Sequence, residues 1–158
     1  MTAQGKGYKD EDMKVQPIGV VRNSVAEVGT HDWDDVVSEL VMSPELEEAL
    51  SSVEEFSHII VLFWMHKVPD LGGIPMRVHP RRRLDLPMVG LFATRAPTRP
   101  NPLGLGVVKL LERRGNILVV QGLDAVDGTP IVDIKPYLTH RDSPRDAMMP
   151  EWMTRPKE

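Results

Sequence analysis

The sequence predicts a mainly β fold, a small antiparallel barrel with one short helix. Short β-branched runs recur along the chain, separated by turns rich in Gly, Pro, Asn and Asp. Full-length amphipathic helices, which a parallel α/β sheet needs between its strands, are missing from the pattern. Arg113-Arg114-Gly115-Asn116 joins two of the runs as a hairpin turn.

Residues 1–13 are polar and glycine-containing and are expected to be a disordered tail. Val15–Arg22 reads as the first strand, and Asn23–Asp35 as a loop carrying His31 and Trp33. Val36–Met42 reads as the second strand. Ser43-Pro44-Glu45 has the residues of a helix start, with a capping hydroxyl, proline at the first helical position and an acid beside the dipole. That helix should end near Leu50, and Ser52–Glu55 has capping-box spacing for one more turn. Ser57–His66 has no polar alternation and is expected to be a strand buried on both faces. Extended segments follow at Ile74–Pro80 and Met88–Thr94, then the hairpin strands Leu103–Glu112 and Asn116–Leu123. Asp127-Gly128 is a turn, and the last strand, Ile131–Lys135, is stopped by Pro136. The barrel domain is thus expected over residues 14–138. Residues 139–158 form a tail, with Met148, Met149 and Trp152 as its docking points.

The chain has 158 residues, which suits one domain with a real core. Cysteine is absent, so no disulfide or thiolate metal site can form. The five histidines lack metal-ligand spacing, and no metal is expected. The longest apolar run, Ile59–Met65, is too short to span a bilayer, and no secretory signal opens the chain. A soluble, cytoplasmic protein is expected. The net charge of −4 argues against a large phosphate-tracking surface, although the Arg81-Arg82-Arg83 run supplies a local basic patch.

The chemistry concentrates in Gly90–Gly106, GLFATRAPTRPNPLGLG. Pro97, Pro100 and Pro102 fix their own φ and restrict the residues before them, so Arg95, Arg99 and Asn101 are presented from a stiff backbone. Gly104 and Gly106 allow another backbone or a ligand to come close. This segment is read as a ligand site. Gly104-x-Gly106 is not a dinucleotide fingerprint, because it lacks the third glycine and precedes a strand. His66-Lys67, directly after the most buried strand, belongs to a barrel rim where ligands bind. Asp133 and Lys135, two apart in a strand, share one face. An ion pair and a functional carboxylate both remain open there.

These segments together resemble the TsaA-like (TrmO) family of S-adenosylmethionine-dependent β-barrel tRNA methyltransferases. The resemblance covers about Val15–Leu138. It rests on Ile18-Gly19-Val20, Phe56-Ser57-His58 through His66-Lys67, ATRAPTRPNPLGLG, and LDAVDGTPIVDIKPY. It implies an antiparallel barrel working as a homodimer, with the methyl donor near the subunit interface. It also implies N6-methylation of threonylcarbamoyl-adenosine beside the anticodon of threonine tRNA. The donor contacts it implies are His31, Asp32 and Trp33, then His66 and Lys67, Arg95 and Leu105, and Leu123, Asp124, Ala125 and Val126. The family commonly reads proline-arginine-glutamine where this chain has His31-Asp32-Trp33. Bacterial members carry a C-terminal extension beyond the barrel, whereas the present sequence continues only to Glu158.

S-adenosylmethionine carries an aminocarboxylate that a fixed arginine can hold through a bidentate contact. The acceptor nitrogen must lose a proton, and Asp133 and Tyr137 are the bases the sequence offers. Arg99, Asn101, Lys135, Arg81, Arg82 and Arg83 are the expected tRNA contacts. Two other readings use the same barrel: a donor sensor without methyl transfer, and an OB-like RNA-binding module. The acidic net charge and the 5% aromatic content count against a stacking platform for single-stranded RNA.

Overall fold

The computed structural model describes residues 13–29 and 31–154. Eight strands form in chain order: β1 Gly19–Arg22, β2 Val37–Met42, β3 His58–Trp64, β4 Arg77–Val78, β5 Val89–Gly90, β6 Leu103–Arg114, β7 Ile117–Gln121 and β8 Pro130–Pro136. Six of them close a barrel in the order β1-β2-β7-β6-β3-β8, with every neighbouring pair antiparallel. β4 and β5 form a separate two-stranded sheet. The expected tail at 1–13 lies outside the described residues except for the exposed Met13.

Alternation builds the core. Val21, Leu40, Ile59, Val61, Phe63, Val108, Leu118, Val120 and Ile131 point inward and are buried. β3 corrects the expectation of burial on both faces: Ile59, Val61 and Phe63 face the core, while Ile60, Leu62 and Trp64 stand half-buried on the outer wall. The unbroken apolar run conceals the strand's period because the outer wall is itself largely apolar. The β6–β7 hairpin turns on Gly115-Asn116, with Gly115 at φ +58.

Pro44–Leu50 and Val53–Glu55 are 3₁₀ helices, and neither Ser43 nor Ser52 makes a side-chain cap. The expected α-helix and capping box are therefore absent from this segment. Tertiary contacts hold it instead: Leu50 is buried in the core, and the Arg113 guanidinium donates to the Glu47 carbonyl at 3.2 Å. The expected strand over 88–94 shortens to β5, followed by a 3₁₀ turn at Leu91–Ala93. The tail forms two short helices, α1 Thr139–Asp142 and α2 Glu151–Thr154. Met148 and Met149 are strongly exposed and do not pack on the barrel of their own chain; Trp152 is half-buried.

Gly104 and Gly106 serve packing. A methyl at Gly104 would overlap the Phe63 ring, and one at Gly106 would lie 2.9 Å from Leu123 Cδ1. The close approach expected at these glycines comes from core side chains. Gly104→Ala is therefore expected to destabilise the barrel by about 1–3 kcal/mol through overpacking. Denaturant unfolding should also show that Gly104→Ala/Phe63→Leu loses less than the sum of the single variants, because the two sites touch. Additive losses would show that the ring is not what excludes the methyl.

Candidate donor-binding cleft

β6 is much longer than β7, and the two pair only from Lys109–Gln121 to Arg114–Ile117. The first half of β6 therefore has β3 on one side and no strand on the other. Along that open edge lies a cleft of about 460 Å³. It is lined by Leu105, Gly106 and Val107 of β6, by Gly122 and Asp124 where the chain leaves β7, by Arg95 of the proline loop, and by His31–Asp34.

Each wall is held by hydrogen bonds. His31 Nε2 lies 2.9 Å from the Glu27 carbonyl, and its ring meets Trp33 edge-on at 5.2 Å between centroids. The Asp34 amide donates to Asp32 Oδ1 at 3.2 Å, and the Gln121 side chain donates to the Asp34 carbonyl at 3.0 Å. On the opposite wall, Asn23 Nδ2 donates to the Ala125 carbonyl at 2.8 Å and to the buried Ser38 hydroxyl at 2.9 Å. The Asn23 amide donates to Asp127 Oδ1 at 3.1 Å. Asn23 thus fixes the backbone just beyond Asp124, at Ala125 and Asp127. Asn23, Ser38, Gln121 and Asp34 escape the sequence reading: their roles come from contacts distant in sequence, and only Asp34 stands beside an expected site residue.

Three carboxylates, Asp32, Asp34 and Asp124, face this cleft against one guanidinium, Arg95. Asp124 is exposed on the cleft, yet the protein around its carboxyl costs it solvation, and this desolvation pushes the carboxyl above its ordinary value. The nearby Arg95 charge and a backbone hydrogen bond pull the other way and are outweighed.

Of the expected donor contacts, His31, Asp32, Trp33, Arg95, Leu105 and Asp124 converge here. Leu123, Ala125 and Val126 are buried, so their side chains belong to the core and surround Asp124. His66 and Lys67 sit at the end of β3, outside the cleft lining. Lys67 instead donates to the Ala26 carbonyl and lies 3.7 Å from Glu27, bracing the loop that leads to His31.

The expected tRNA contacts divide similarly. Arg99 folds back to donate to the Thr94 and Ala96 carbonyls at 3.2 and 3.0 Å, bracing its own loop. The Asn101 carbonyl accepts from the Leu103 amide at 2.7 Å, and its residue is exposed. Arg83 is bound to Asp85 at 2.6 Å, Arg81 donates to the Met153 carbonyl at 3.1 Å, and Arg82 is exposed. Asp133 forms an ion pair with Lys135 at 2.7 Å on the outer wall. It pairs with Leu62 and thus stands two strands from Leu105, about 10 Å at ordinary strand spacing. Tyr137 donates its amide to the His58 carbonyl, at the end of β3 away from His66. Neither proposed base lines the cleft.

The raised Asp124 carboxyl couples folding to pH. Above the unfolded value of about 3.8, the folded protein holds this proton more tightly, so stability falls as pH rises through the folded value. Asp124→Asn is expected to remove that decline from the pH dependence of the unfolding midpoint. Parallel curves for wild type and variant would show that burial does not control this carboxyl.

The family profile of the tRNA-methyltransferase O N-terminal domain matches residues 28–143. A Pyrococcus abyssi protein, named a probable S-adenosyl-L-methionine-binding protein, is 39% identical over 132 residues, covering 80% of this chain and 69% of that protein. The human tRNA (adenine(37)-N6)-methyltransferase is 41% identical over 104 residues, covering 66% of this chain but 23% of the human protein. A crystal structure of TrmO superposes with a TM-score of 0.69 at 31% identity, covering 89% of this chain and 62% of that one. The chain therefore spans less than two thirds of the solved TrmO chain and under a quarter of the human enzyme. The barrel, its cleft-lining segments and these matches agree: the chain belongs to the tRNA-methyltransferase O N-terminal domain family.

Proposed function

We propose that this protein binds S-adenosylmethionine in the Asp124 cleft and transfers its methyl group to N6 of adenosine 37 in tRNA, with the threonylcarbamoyl form as substrate. The observation that carries the reading is the charge of the cleft, three carboxylates and one arginine, within a family whose members are named for this donor and this reaction. The donor has a sulfonium, an ammonium and a carboxylate. A cleft of that composition suits its net positive charge, and Arg95 suits its carboxylate. Trp33 offers a flat apolar wall, and the open edge of β6 offers backbone groups beside Leu105 and Val107. The donor supplies an activated methyl group. The residues' part is to fix its orientation toward the acceptor nitrogen and to exclude water.

A homodimer fits this arrangement. Leu103, Leu105 and Val107 form an exposed apolar row on the outer wall of β6, running into the cleft. A second subunit on that row would cover the apolar side chains and close an otherwise open pocket. The archaeal relatives' name, donor binding without a stated reaction, favours one alternative, a donor-binding barrel that transfers nothing.

Labelled donor incubated with tRNA, with and without the threonylcarbamoyl group, separates these readings. Label is expected in the modified RNA, and donor binding without label would establish the sensor. Arg95→Ala is expected to weaken donor binding in calorimetry by about 1.5–3 kcal/mol, the range for a hydrogen bond to a charged group. A wild type that does not bind the donor would refute the assignment. Light scattering should give twice the 17.7 kDa chain mass for active protein. Asp133→Asn and Tyr137→Phe are expected to keep full methyl transfer, given their distance from the cleft. Lost turnover at unchanged donor affinity would instead restore one of them as the base.

A further inference from the structure

From the start of β4 to the start of β6 the chain carries six arginines, at 77, 81, 82, 83, 95 and 99, against one acid, Asp85, although the protein as a whole has a net charge of −4. Phe92 stands out in this basic segment. It is 77% exposed, whereas Phe63 is 3% exposed in the core.

Its mount is rigid. Leu91, directly before it, is buried at 4% exposure and anchors the 3₁₀ turn Leu91–Ala93. Thr94 Oγ1 donates to the Leu91 carbonyl at 2.8 Å and accepts from the Ala96 amide at 3.2 Å. The Arg99 guanidinium lies over the Phe92 ring, 5.8 Å from its centroid, and its own donors hold the Thr94 and Ala96 carbonyls. A cation therefore covers one ring face, and the ring is otherwise open to solvent. Arg95, three residues on, lines the donor cleft.

We propose that Phe92 is a stacking platform for an unpaired nucleobase flanking the target adenosine, backed by Arg99 and carried by an arginine-rich segment whose net positive charge attracts the RNA backbone. Sequence-tolerant recognition of unpaired bases works in this way, with an aromatic face for the base and cationic side chains along the strand. The proposal rests on the tRNA reading above. A second copy of this chain would also cover an exposed phenylalanine. The excess of five positive charges in the segment favours a polyanion over a like-charged copy of the same surface.

The test uses the full chain and a tRNA anticodon stem–loop with adenosine at position 37, carrying 2-aminopurine at one or the other neighbouring nucleotide. Wild type is expected to quench the probe at one of these positions. Phe92→Ala should abolish the quenching and weaken RNA binding roughly tenfold or more. Phe92→Trp should retain both, and donor affinity should be unchanged in all variants. Unaltered RNA affinity and quenching in Phe92→Ala would overturn the proposal. So would dissociation of a dimer by Phe92→Ala with unchanged RNA affinity, which would assign the ring to a second copy. A wild type that binds the donor but neither binds nor methylates the RNA fails the tRNA reading itself, and the stacking site with it.

Discussion

The unequal lengths of β6 and β7 are the constraint on which the rest depends. A barrel wall is continuous where strands pair, and β7 leaves β6 at Gln121 while β6 runs on toward Leu103. The departing chain then crosses the rim, which places Gly122 and Asp124 opposite Leu105 and Val107 with a cleft between them. Gly122, at φ +91, takes the left-handed conformation at this departure, where a side chain would be strained. The cleft is therefore a product of strand pairing, and barrel closure on the β3 side leaves it intact.

Charge is divided between two regions with opposite demands. The cleft gathers carboxylates around one arginine, whereas the segment from β4 to the proline loop gathers arginines around one carboxylate. A cationic small molecule and an anionic polymer can thus be drawn to adjacent surfaces without competing. Arg95 stands where the two meet, lining the cleft from within the arginine-rich segment. The net charge of −4 sums these fields and so hides both. The same averaging affects aromatic content: a low overall fraction weighs against an extended stacking surface but is silent about a single exposed ring such as Phe92.

The barrel was legible in the sequence because its signals are local. Short β-branched runs, a two-residue hairpin and the Asp127-Gly128 turn act over a few residues, and β6, β7 and β8 lie close to the segments they mark. The 3₁₀ segments were not legible, because capping residues suggest a helix and tertiary contacts through Arg113 and Leu50 decide its form. The cleft was legible in part. His31, Asp32, Trp33, Arg95, Leu105 and Asp124 converge from the segments that carried the family resemblance. Arg99 illustrates what spacing cannot give. A guanidinium in a proline-rich loop could face a ligand or its own carbonyls, and only the folded loop shows that it braces Thr94 and Ala96.

Asn23 ties these parts together. Its side-chain Nδ2 joins the end of β1 to the Ala125 carbonyl and to a hydroxyl buried in β2, and its side-chain Oδ1 accepts from the Val25 amide at 3.0 Å. Two residues beyond Val25, Glu27 holds His31, and Lys67, just beyond the end of β3, reaches the intervening Ala26. Both walls of the cleft are thus referred to one side chain at the barrel rim. Replacing it would leave the Ser38 hydroxyl buried without that donor, and buried polar groups lose most when a single partner is removed. The consequence would fall first on the two loops facing the cleft, since Val21, Leu40 and Leu118 are held in the core by apolar packing and make no hydrogen bond to the Asn23 side chain. The rim that forms the cleft is therefore more vulnerable to a polar substitution than the barrel that supports it.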